Sequence, residues 1–224
     1  MIEEILPPEV AATEAFADIP DVPLFPEEEE AIARAVAKRR GEFTTARACA
    51  RESLGRLGFP PVPILRGPKG APQWPRGAIG SITHCAGYRA CAAALTRDVA
   101  SLGIDAEPNG PTPDGVLEAV ADQAERTHVA ALAADRPGIH WDRMLFSAKE
   151  SVYKTWFPLT GRWLGFEDAA LTIDPAEGTF TARLLVPGPT VDGDTLDSFS
   201  GRWLARDGLI ITAIVLSARP GASS

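Results

Sequence analysis

The chain has 224 residues, of which 45% are hydrophobic and 23% are charged, a composition typical of a globular protein with a sizeable core. No stretch approaches the ~18 consecutive apolar residues of a transmembrane helix, and the N-terminal sequence MIEEILPPEV is acidic where a secretory signal would be basic. Three cysteines without CxxC spacing argue against a disulfide framework or a zinc knuckle. We therefore expect a cytoplasmic protein with no membrane partner.

The net charge of -8 is unevenly distributed along the chain. Residues 1–30 contain ten acidic residues and no Lys or Arg, whereas residues 34–69 contain nine basic residues and two acidic ones. A basic segment in an acidic protein indicates a local anionic ligand rather than a long nucleic acid track. A solvated helix face would give the same pattern, so the segment leaves both interpretations open.

The first predicted element is a long helix that follows the acidic lead-in. In PEEEEAIARAVAKRRGEFTTARACARESLGRLG, Pro26 and four glutamates suit the positive end of a helix dipole, and Gly58 ends the pattern. Gly41 marks a position where this helix could divide. Residues 60–78 are rich in Pro and Gly and predict an ordered loop. Strand-like runs follow at residues 79–85, 89–96 and 100–107.

The breaker cluster PNGPTPDG at residues 108–115 predicts a boundary between two lobes. Helical patterns follow at residues 115–134 and 141–157, the second ended by Pro158. Strand-like runs return at residues 169–174, 179–186, 199–206 and 209–216. The order of elements predicts an α+β fold of two similar lobes in one chain, a pseudo-dimer, each with helices packed on a small antiparallel sheet. We place the N-terminal lobe at residues 1–110 and the C-terminal lobe at residues 111–224.

The first candidate site lies in the strand-like sequence LGIDAE. Alternation places Asp105 and Glu107 on one face of the strand, on the same side as Gly103. Two carboxylates this close repel each other unless a cation lies between them. A strand end that turns into solvent before a proline would also explain the pair.

The second candidate site lies on the helix HWDRMLFSAKESVYKTWFP. Its apolar stripe lies almost opposite Glu150, and Arg143, Ser147 and Lys154 share the side of Glu150. A surface Glu–Lys pair four residues apart would explain Glu150 and Lys154 on its own. Three carboxylates that converge on one point would instead suit magnesium, and the neighbouring Lys149 would meet phosphate charge.

Further candidates could bind anions. Thr83 and His84 end the strand-like run GAIGSITHC, Arg39 and Arg47 lie eight residues apart on one side of a helix, and the Gly/Pro-rich loop contains Arg66 and Lys69. Together these side chains could hold several phosphates, because the planar arginine fork matches a phosphate group. A histidine satisfied within the core is the alternative for His84. The aromatic residues of WFPLTGRWLGFED would form either core or an apolar lip for a ligand arm or a partner protein.

The combination resembles a known enzyme family. LGIDAE, FSAKESVYK and WPRGAIGSITHCAGYRA resemble the three signature motifs of the 4'-phosphopantetheinyl transferases, in the monomeric two-lobed type rather than the short trimeric type. AKRRGEFTTARACARESLGRLG, PILRGPKGAPQWP and WFPLTGRWLGFEDA are similar to the subgroup of the actinobacterial and enterobactin synthetase component enzymes. The resemblance covers residues 30–175.

The resemblance implies a role for each motif residue. The family's magnesium ligands correspond to Asp105, Glu107 and Glu150, and its coenzyme A pyrophosphate contacts to Lys149 and Lys154. The resemblance also places His84 on the coenzyme A phosphates and Arg39 and Arg47 at the adenosine 3'-phosphate. Close relatives often have Lys where this chain has Arg66, which keeps the charge and alters the geometry.

The resemblance also implies a reaction. The enzyme would transfer 4'-phosphopantetheine from coenzyme A to a serine of an apo acyl or peptidyl carrier protein, with Mg²⁺ as the metal and Mn²⁺ able to replace it. The catalytic residues would be Glu150 or a water it orients as the base, Lys154 at the leaving phosphate, and Asp105 at the metal. The protein would be a monomer without a nucleic acid partner. Two alternatives stay open: another magnesium-dependent phosphoryl-transfer enzyme or nucleotide hydrolase, and a non-catalytic module that binds coenzyme A or carrier proteins.

Overall fold

The structure, a computed structural model, describes residues 1–218. Its α-helices are α1 (Pro26–Ala31), α2 (Ala37–Arg56), α3 (Val116–Val120), α4 (Gln123–Asp135) and α5 (Trp141–Thr160). Its strands are β1 (Ala11–Ala15), β2 (Ala78–Cys85), β3 (Tyr88–Leu95), β4 (Val99–Pro108), β5 (Ala169–Asp174), β6 (Thr179–Leu184), β7 (Thr190–Val191), β8 (Asp194–Thr195), β9 (Ser198–Arg206) and β10 (Leu209–Ser217). None of the helices within residues 1–218 combines the length and the apolar character needed to cross a bilayer.

The strands form two main sheets, and both are antiparallel. The first has the order β1-β3-β2 and the second the order β4-β10-β9-β6-β5, while β7 and β8 form a separate small ribbon. A 20-residue helix packs on each main sheet: α2 on β1 and β3, and α5 on β4 and β10. The predicted α+β class with helices on antiparallel sheets is therefore confirmed.

The predicted apolar stripe of α5 is the centre of the larger core. Trp141, Leu145, Ala148 and Val152 are each 0–1% exposed. They pack with residues of β5, β6, β9 and β10, including Phe180. This burial turns the opposite side of α5 toward the carboxylates of β4, which is the arrangement that the motif spacing predicts.

Strand β4 connects the two sheets in two different ways. On one edge it pairs with β10 over its whole length, with Thr212 opposite Asp105. On the other edge, hydroxyl groups of β2 accept hydrogen bonds from the backbone amides of β4. Ser81 Oγ accepts from Ile104 N at 3.1 Å, and Thr83 Oγ1 accepts from Ala106 N at 3.0 Å. The predicted boundary at residue 110 assigns β4 to the first lobe, whereas β4 pairs within the second sheet. The boundary itself stays a prediction.

Gly103 explains how closely α5 approaches β4. A Cβ atom at this position would lie 2.3 Å from the Ser151 carbonyl oxygen and 2.5 Å from Thr155 Oγ1. Ser101 Oγ also donates to the Thr155 carbonyl at 2.7 Å. The glycine of LGIDAE therefore sets the distance between the strand that bears Asp105 and the helix that bears Glu150.

Three predicted helix boundaries are wrong. The first helix divides at residues 32–36 rather than at Gly41, which lies within α2 with the Asp18 carboxylate packed against it. Helix α5 continues past Pro158 to Thr160 and ends at Gly161 in the left-handed conformation, since a proline in the last turn removes few helical hydrogen bonds. The pattern at residues 115–134 divides into α3 and α4 at a capping box of Asp122 and Glu125.

Candidate active site

A cavity of about 510 Å³ lies between α2, β2, α5 and the Pro/Gly-rich loop. Six of the eight predicted anion-binding residues line it together with the predicted base: Arg39, Arg47, Arg66, Lys69, His84, Lys154 and Glu150. Residues more than 100 positions apart in sequence thus line one cavity. The cavity concentrates positive charge in a protein whose net charge is -8, as the charge pattern predicts for a local anionic ligand.

Arg47 is the most deeply buried cation of this cavity. Its side chain is 6% exposed, and its Nε donates to the Ile64 carbonyl at 2.6 Å. The guanidinium lies 4.1 Å from the centroid of the Phe43 ring, and that of Arg66 lies 5.6 Å from the same centroid. Burial lowers the pKa of Arg47 to about 10, so the group keeps its charge at neutral pH.

Arg39 and His84 form a hydrogen-bonded pair on the wall of this cavity. Arg39 Nη1 donates to His84 Nε2 at 2.7 Å, and Glu42 Oε2 lies 3.5 Å from Arg39 Nη1 and 3.8 Å from His84 Nδ1. Burial and the charge of Arg39 lower the pKa of His84. A neutral imidazole can accept from Arg39 in this way, whereas an imidazolium cannot.

Asp105 is the most connected of the predicted metal ligands. Its Oδ1 accepts from Lys154 Nζ at 2.7 Å and from Thr83 Oγ1 at 3.3 Å, and its Oδ2 accepts from Ser147 Oγ at 2.9 Å. Arg143 Nη1 donates to Glu107 at 3.0 Å. Arg143, Ser147 and Lys154, which helical spacing places on the side of Glu150, thus each contact a carboxylate of β4.

The three carboxylates influence one another without forming a metal cluster. Burial and the charge of Asp105 raise the pKa of Glu107; burial raises the pKa of Glu150, Lys154 opposes that shift, and Asp105 adds to it. Within the described residues, no group of three or more His, Cys, Asp or Glu side chains is gathered closely enough to hold a metal ion. The oxygen donors and their mutual repulsion fit a hard cation such as magnesium. In this arrangement Lys154 and Arg143 balance the charge instead.

Two predicted coenzyme A contacts do not reach the large cavity. Thr83 is 3% exposed, and its hydroxyl is engaged with Asp105 and Ala106 at the junction of the sheets. Lys149 Nζ donates to Glu125 at 2.9 Å and to the carbonyls of Phe166 and Ala169 at 2.7 and 3.1 Å. Lys149 precedes Glu150 by one position, and this offset of ~100° around α5 turns its side chain toward α4 and β5 rather than toward the larger cavity.

A second, smaller cavity of about 160 Å³ adjoins the first at Glu150 and Tyr153, which line both. Its other walls include Trp163 and Phe166 from the aromatic segment. Tyr153 lies 5.0 Å from Trp163 between ring centroids, and Trp163 is 67% exposed, whereas Trp156 is buried in the core. The aromatic segment therefore supplies both core and an apolar cavity rim.

Sequence reasoning missed Glu42, Phe43 and Tyr153 as residues of the site. Phe43 precedes Arg47 by four positions and therefore lies beneath it on α2, a spacing that could have indicated the stacked pair. Tyr153 lies three positions after Glu150 on the same helix. Glu42 lies between two basic residues in sequence and carried no signal of its own.

Sequence models of one transferase class match both parts of the chain that build these cavities. Residues 27–94 match the model described as 4'-phosphopantetheinyl transferase N-terminal domain, and residues 101–205 match that of the 4'-phosphopantetheinyl transferase superfamily. The first match contains Arg39, Arg47 and His84, and the second contains Asp105 and Glu150.

Curated relatives extend the match to nearly the whole chain. The 4'-phosphopantetheinyl transferase Svp of Streptomyces mobaraensis is 59% identical over 99% of this chain and 91% of its own. The 4'-phosphopantetheinyl transferase PptT of Mycobacterium tuberculosis is 48% identical over 96% of this chain and 98% of its own. Enterobactin synthase component D of Salmonella typhimurium is 30% identical over 79% of this chain and 72% of its own. The chain belongs to the 4'-phosphopantetheinyl transferases, enzymes that use coenzyme A and act on carrier proteins.

Proposed function

We propose that this chain transfers the 4'-phosphopantetheine of coenzyme A to a serine of an apo acyl or peptidyl carrier protein and releases adenosine 3',5'-bisphosphate. The observation that carries the proposal is the cavity of about 510 Å³ in which arginine, lysine and histidine side chains surround Glu150. A ligand with several phosphate groups is the anion that such a concentration of donors favours.

The cationic residues divide between two parts of the ligand. Arg39 and Arg47 would bind the adenosine 3'-phosphate, supported by their position on one side of α2. His84 and Lys154 would bind the pyrophosphate, because they lie on the wall nearer Glu150 and the acidic strand. Arg66 and Lys69 would add charge from the loop, where Lys69 adopts a left-handed backbone conformation at φ 55°.

Magnesium would be held by Asp105, Glu107 and Glu150, with Mn²⁺ able to replace it. Bound there, the metal would neutralise the diphosphate and the charge that develops on the displaced oxygen. The support is the chemistry of the donors: three carboxylates on β4 and α5, two of which have a pKa raised in part by the charge of Asp105.

Glu150 is the proposed base, directly or through a water that it orients. Burial raises its pKa above the ordinary value, which brings it closer to the operating pH of a cytoplasmic enzyme and makes it a better proton acceptor. The serine oxygen would form a bond to the phosphorus that bears the pantetheine, and the bond from this phosphorus to the bridging oxygen would break. Lys154 would neutralise or protonate the leaving phosphate.

The smaller cavity would receive the pantetheine arm. It adjoins the larger cavity at Glu150, and the side chains of Tyr153, Trp163 and Phe166 give it apolar walls suited to an uncharged chain. This geometry would place the arm on one side of the reacting phosphorus and the adenosine on the other.

Intact mass of several apo carrier proteins, after incubation with coenzyme A, magnesium and this protein, tests the proposal. We expect a gain of one phosphopantetheine on at least one carrier protein and release of one equivalent of adenosine 3',5'-bisphosphate. A hydrolase would release nucleotide without the mass gain, and a binding module would produce neither. The monomeric state and the cytoplasmic location remain predictions.

A further inference from the structure

One glutamate of the acidic run PEEEE is fully buried, while its neighbours lie at the surface. Glu28 is 0% exposed, whereas Glu27 and Glu30 are exposed. Its carboxylate accepts from the backbone of Phe25 at 3.1 Å, which caps the short helix α1. Helix capping alone does not explain complete burial, because a cap formed at the surface satisfies the same amide.

The same carboxylate makes long-range contacts with α2 and the loop beyond it. Arg51 Nη1 donates to its two oxygens at 3.1 and 2.9 Å, and Ile64 N donates to Oε1 at 2.9 Å. Arg47 Nε lies 4.0 Å from Oε1. Glu28 is therefore the counter-charge for a pair of arginines and the acceptor for a buried loop amide.

Ile64 links Glu28 to the larger cavity of the candidate active site. Its amide donates to Glu28, and its carbonyl accepts from Arg47 Nε at 2.6 Å, so one residue of the loop is held from both sides. Ile64 is 0% exposed, and two positions later Arg66 enters the cavity wall. Glu28 itself lies outside that wall. A shift of its carboxylate would thus move Arg47 and the loop without removing any group that touches the ligand.

We propose that Glu28 is a positioning residue that holds the Ile64 backbone and thereby aims the Arg47 guanidinium at the 3'-phosphate of coenzyme A. The inference rests on the proposed coenzyme A site. Its physical basis is preorganisation: a guanidinium already fixed by a carbonyl, an aromatic ring and a counter-charge loses little freedom when a phosphate binds.

Glu28→Asp tests this role because it keeps the charge and shortens the side chain by one methylene. The shorter carboxylate can still cap Phe25, three residues away, but cannot also reach Ile64. We expect the Kd of coenzyme A to rise about tenfold and that of 3'-dephospho-coenzyme A to rise less than about threefold, with kcat at saturating coenzyme A nearly unchanged. Glu27→Asp and Glu30→Asp, in the same run, are the matched controls and should bind both ligands as the wild type does.

If folded Glu28→Asp protein loses affinity equally for the two ligands, or binds coenzyme A as the wild type does, Glu28 serves the fold alone. If Glu28→Asp does not fold, Arg51→Lys replaces the fork that joins Glu28 to the Pro23 carbonyl while keeping a cation. The inference predicts the same selective loss of coenzyme A affinity there, and an equal loss of affinity for the two ligands would overturn it. Arg47→Ala, measured in parallel, separates the Glu28 role from the proposed coenzyme A site. If Arg47→Ala selectively loses affinity for coenzyme A and Glu28→Asp does not, the Glu28 role is refuted while the coenzyme A site is supported. Carrier-protein transfer by the wild type tests the proposed function independently.

Discussion

At the scale of single residues, His84 connects the charge of the cavity to pH. Its pKa lies below the ordinary value because the ring is buried beside Arg39. A histidine with a lowered pKa in the folded state contributes stability that is present above its unfolded pKa of about 6.5 and is lost as pH falls through the folded pKa. We therefore expect the melting temperature of the ligand-free protein to decline between pH 7.5 and 5.5.

His84→Gln isolates that contribution. The glutamine oxygen can accept from Arg39 but does not titrate, so the variant should lose less melting temperature over the same pH range. Glu107 and Glu150 are unchanged in both proteins, so their own titration cancels in the comparison. Thermal unfolding at several pH values is the measurement, and parallel curves for the two proteins would contradict the assignment.

Removing the charge of Glu150 or of Asp105 is expected to lower transfer activity for different reasons. Glu150→Gln keeps two strand carboxylates as metal ligands, so magnesium and coenzyme A should still bind while transfer falls by ~10²–10⁴-fold through loss of the base. Asp105→Asn should weaken the metal itself, and raising the magnesium concentration should restore part of its activity. Transfer rates measured across a magnesium titration distinguish the two. Restoration of Glu150→Gln by magnesium would make Glu150 a ligand only.

The residue types of the site were largely predictable, and their pairings were not. Helical spacing placed Arg39 and Arg47 on one side of α2, and strand alternation placed Asp105 and Glu107 on one face. Lys149 was assigned to the ligand because of its motif, yet Glu125, more than 20 positions earlier, engages its ammonium in the core. Such long-range partners depend on how α4 and α5 pack, and they cannot be predicted from residue spacing within one element.

At the scale of elements, the contact of α5 with β4 at Gly103 fixes the geometry of the site. Gly103→Ala would insert a methyl group 2.3 Å from the Ser151 carbonyl and force the helix away from the strand. We expect a loss of about 1–3 kcal/mol in the free energy of unfolding and a larger proportional loss of transfer activity. Gly110→Ala, two residues beyond the end of the same strand, is the control because a Cβ there meets nothing within 4 Å. Denaturant unfolding and transfer rates measure both effects, and equal behaviour of the two variants would contradict this role.

Strands were better predicted than helix ends. The runs at residues 79–85, 89–96 and 100–107 agree with β2, β3 and β4 to within one residue, because alternation of apolar side chains is local. Other features depended on residues outside the segment. Asp18 packs against Gly41 within α2, and the unpredicted strand β1 pairs with β3, more than 70 positions later in sequence. An acidic segment next to prolines gives no local sign of such a strand.

At the scale of the whole molecule, hydroxyl groups of β2 join the two sheets where backbone pairing is absent. Thr83→Val keeps the shape but leaves the buried Ala106 amide without its acceptor and removes one contact to Asp105. We expect a loss of about 1–3 kcal/mol in the free energy of unfolding. Thr172→Val, at an exposed position on β5, is the control and should change stability little. Urea unfolding is the measurement; a stable Thr83→Val protein with weakened coenzyme A binding would instead support the ligand contact that the sequence suggested.

The position of β4 also has a consequence for dividing the polypeptide. A cut within residues 109–115 would leave β4 on the first fragment and its partner β10 on the second, with Asp105 separated from Lys154. Neither fragment would contain a complete active site, and re-forming the β4–β10 ladder would bring the two halves of the site back together. Fused to two interacting proteins, the fragments would work as a split reporter whose output is a covalent label on a carrier domain.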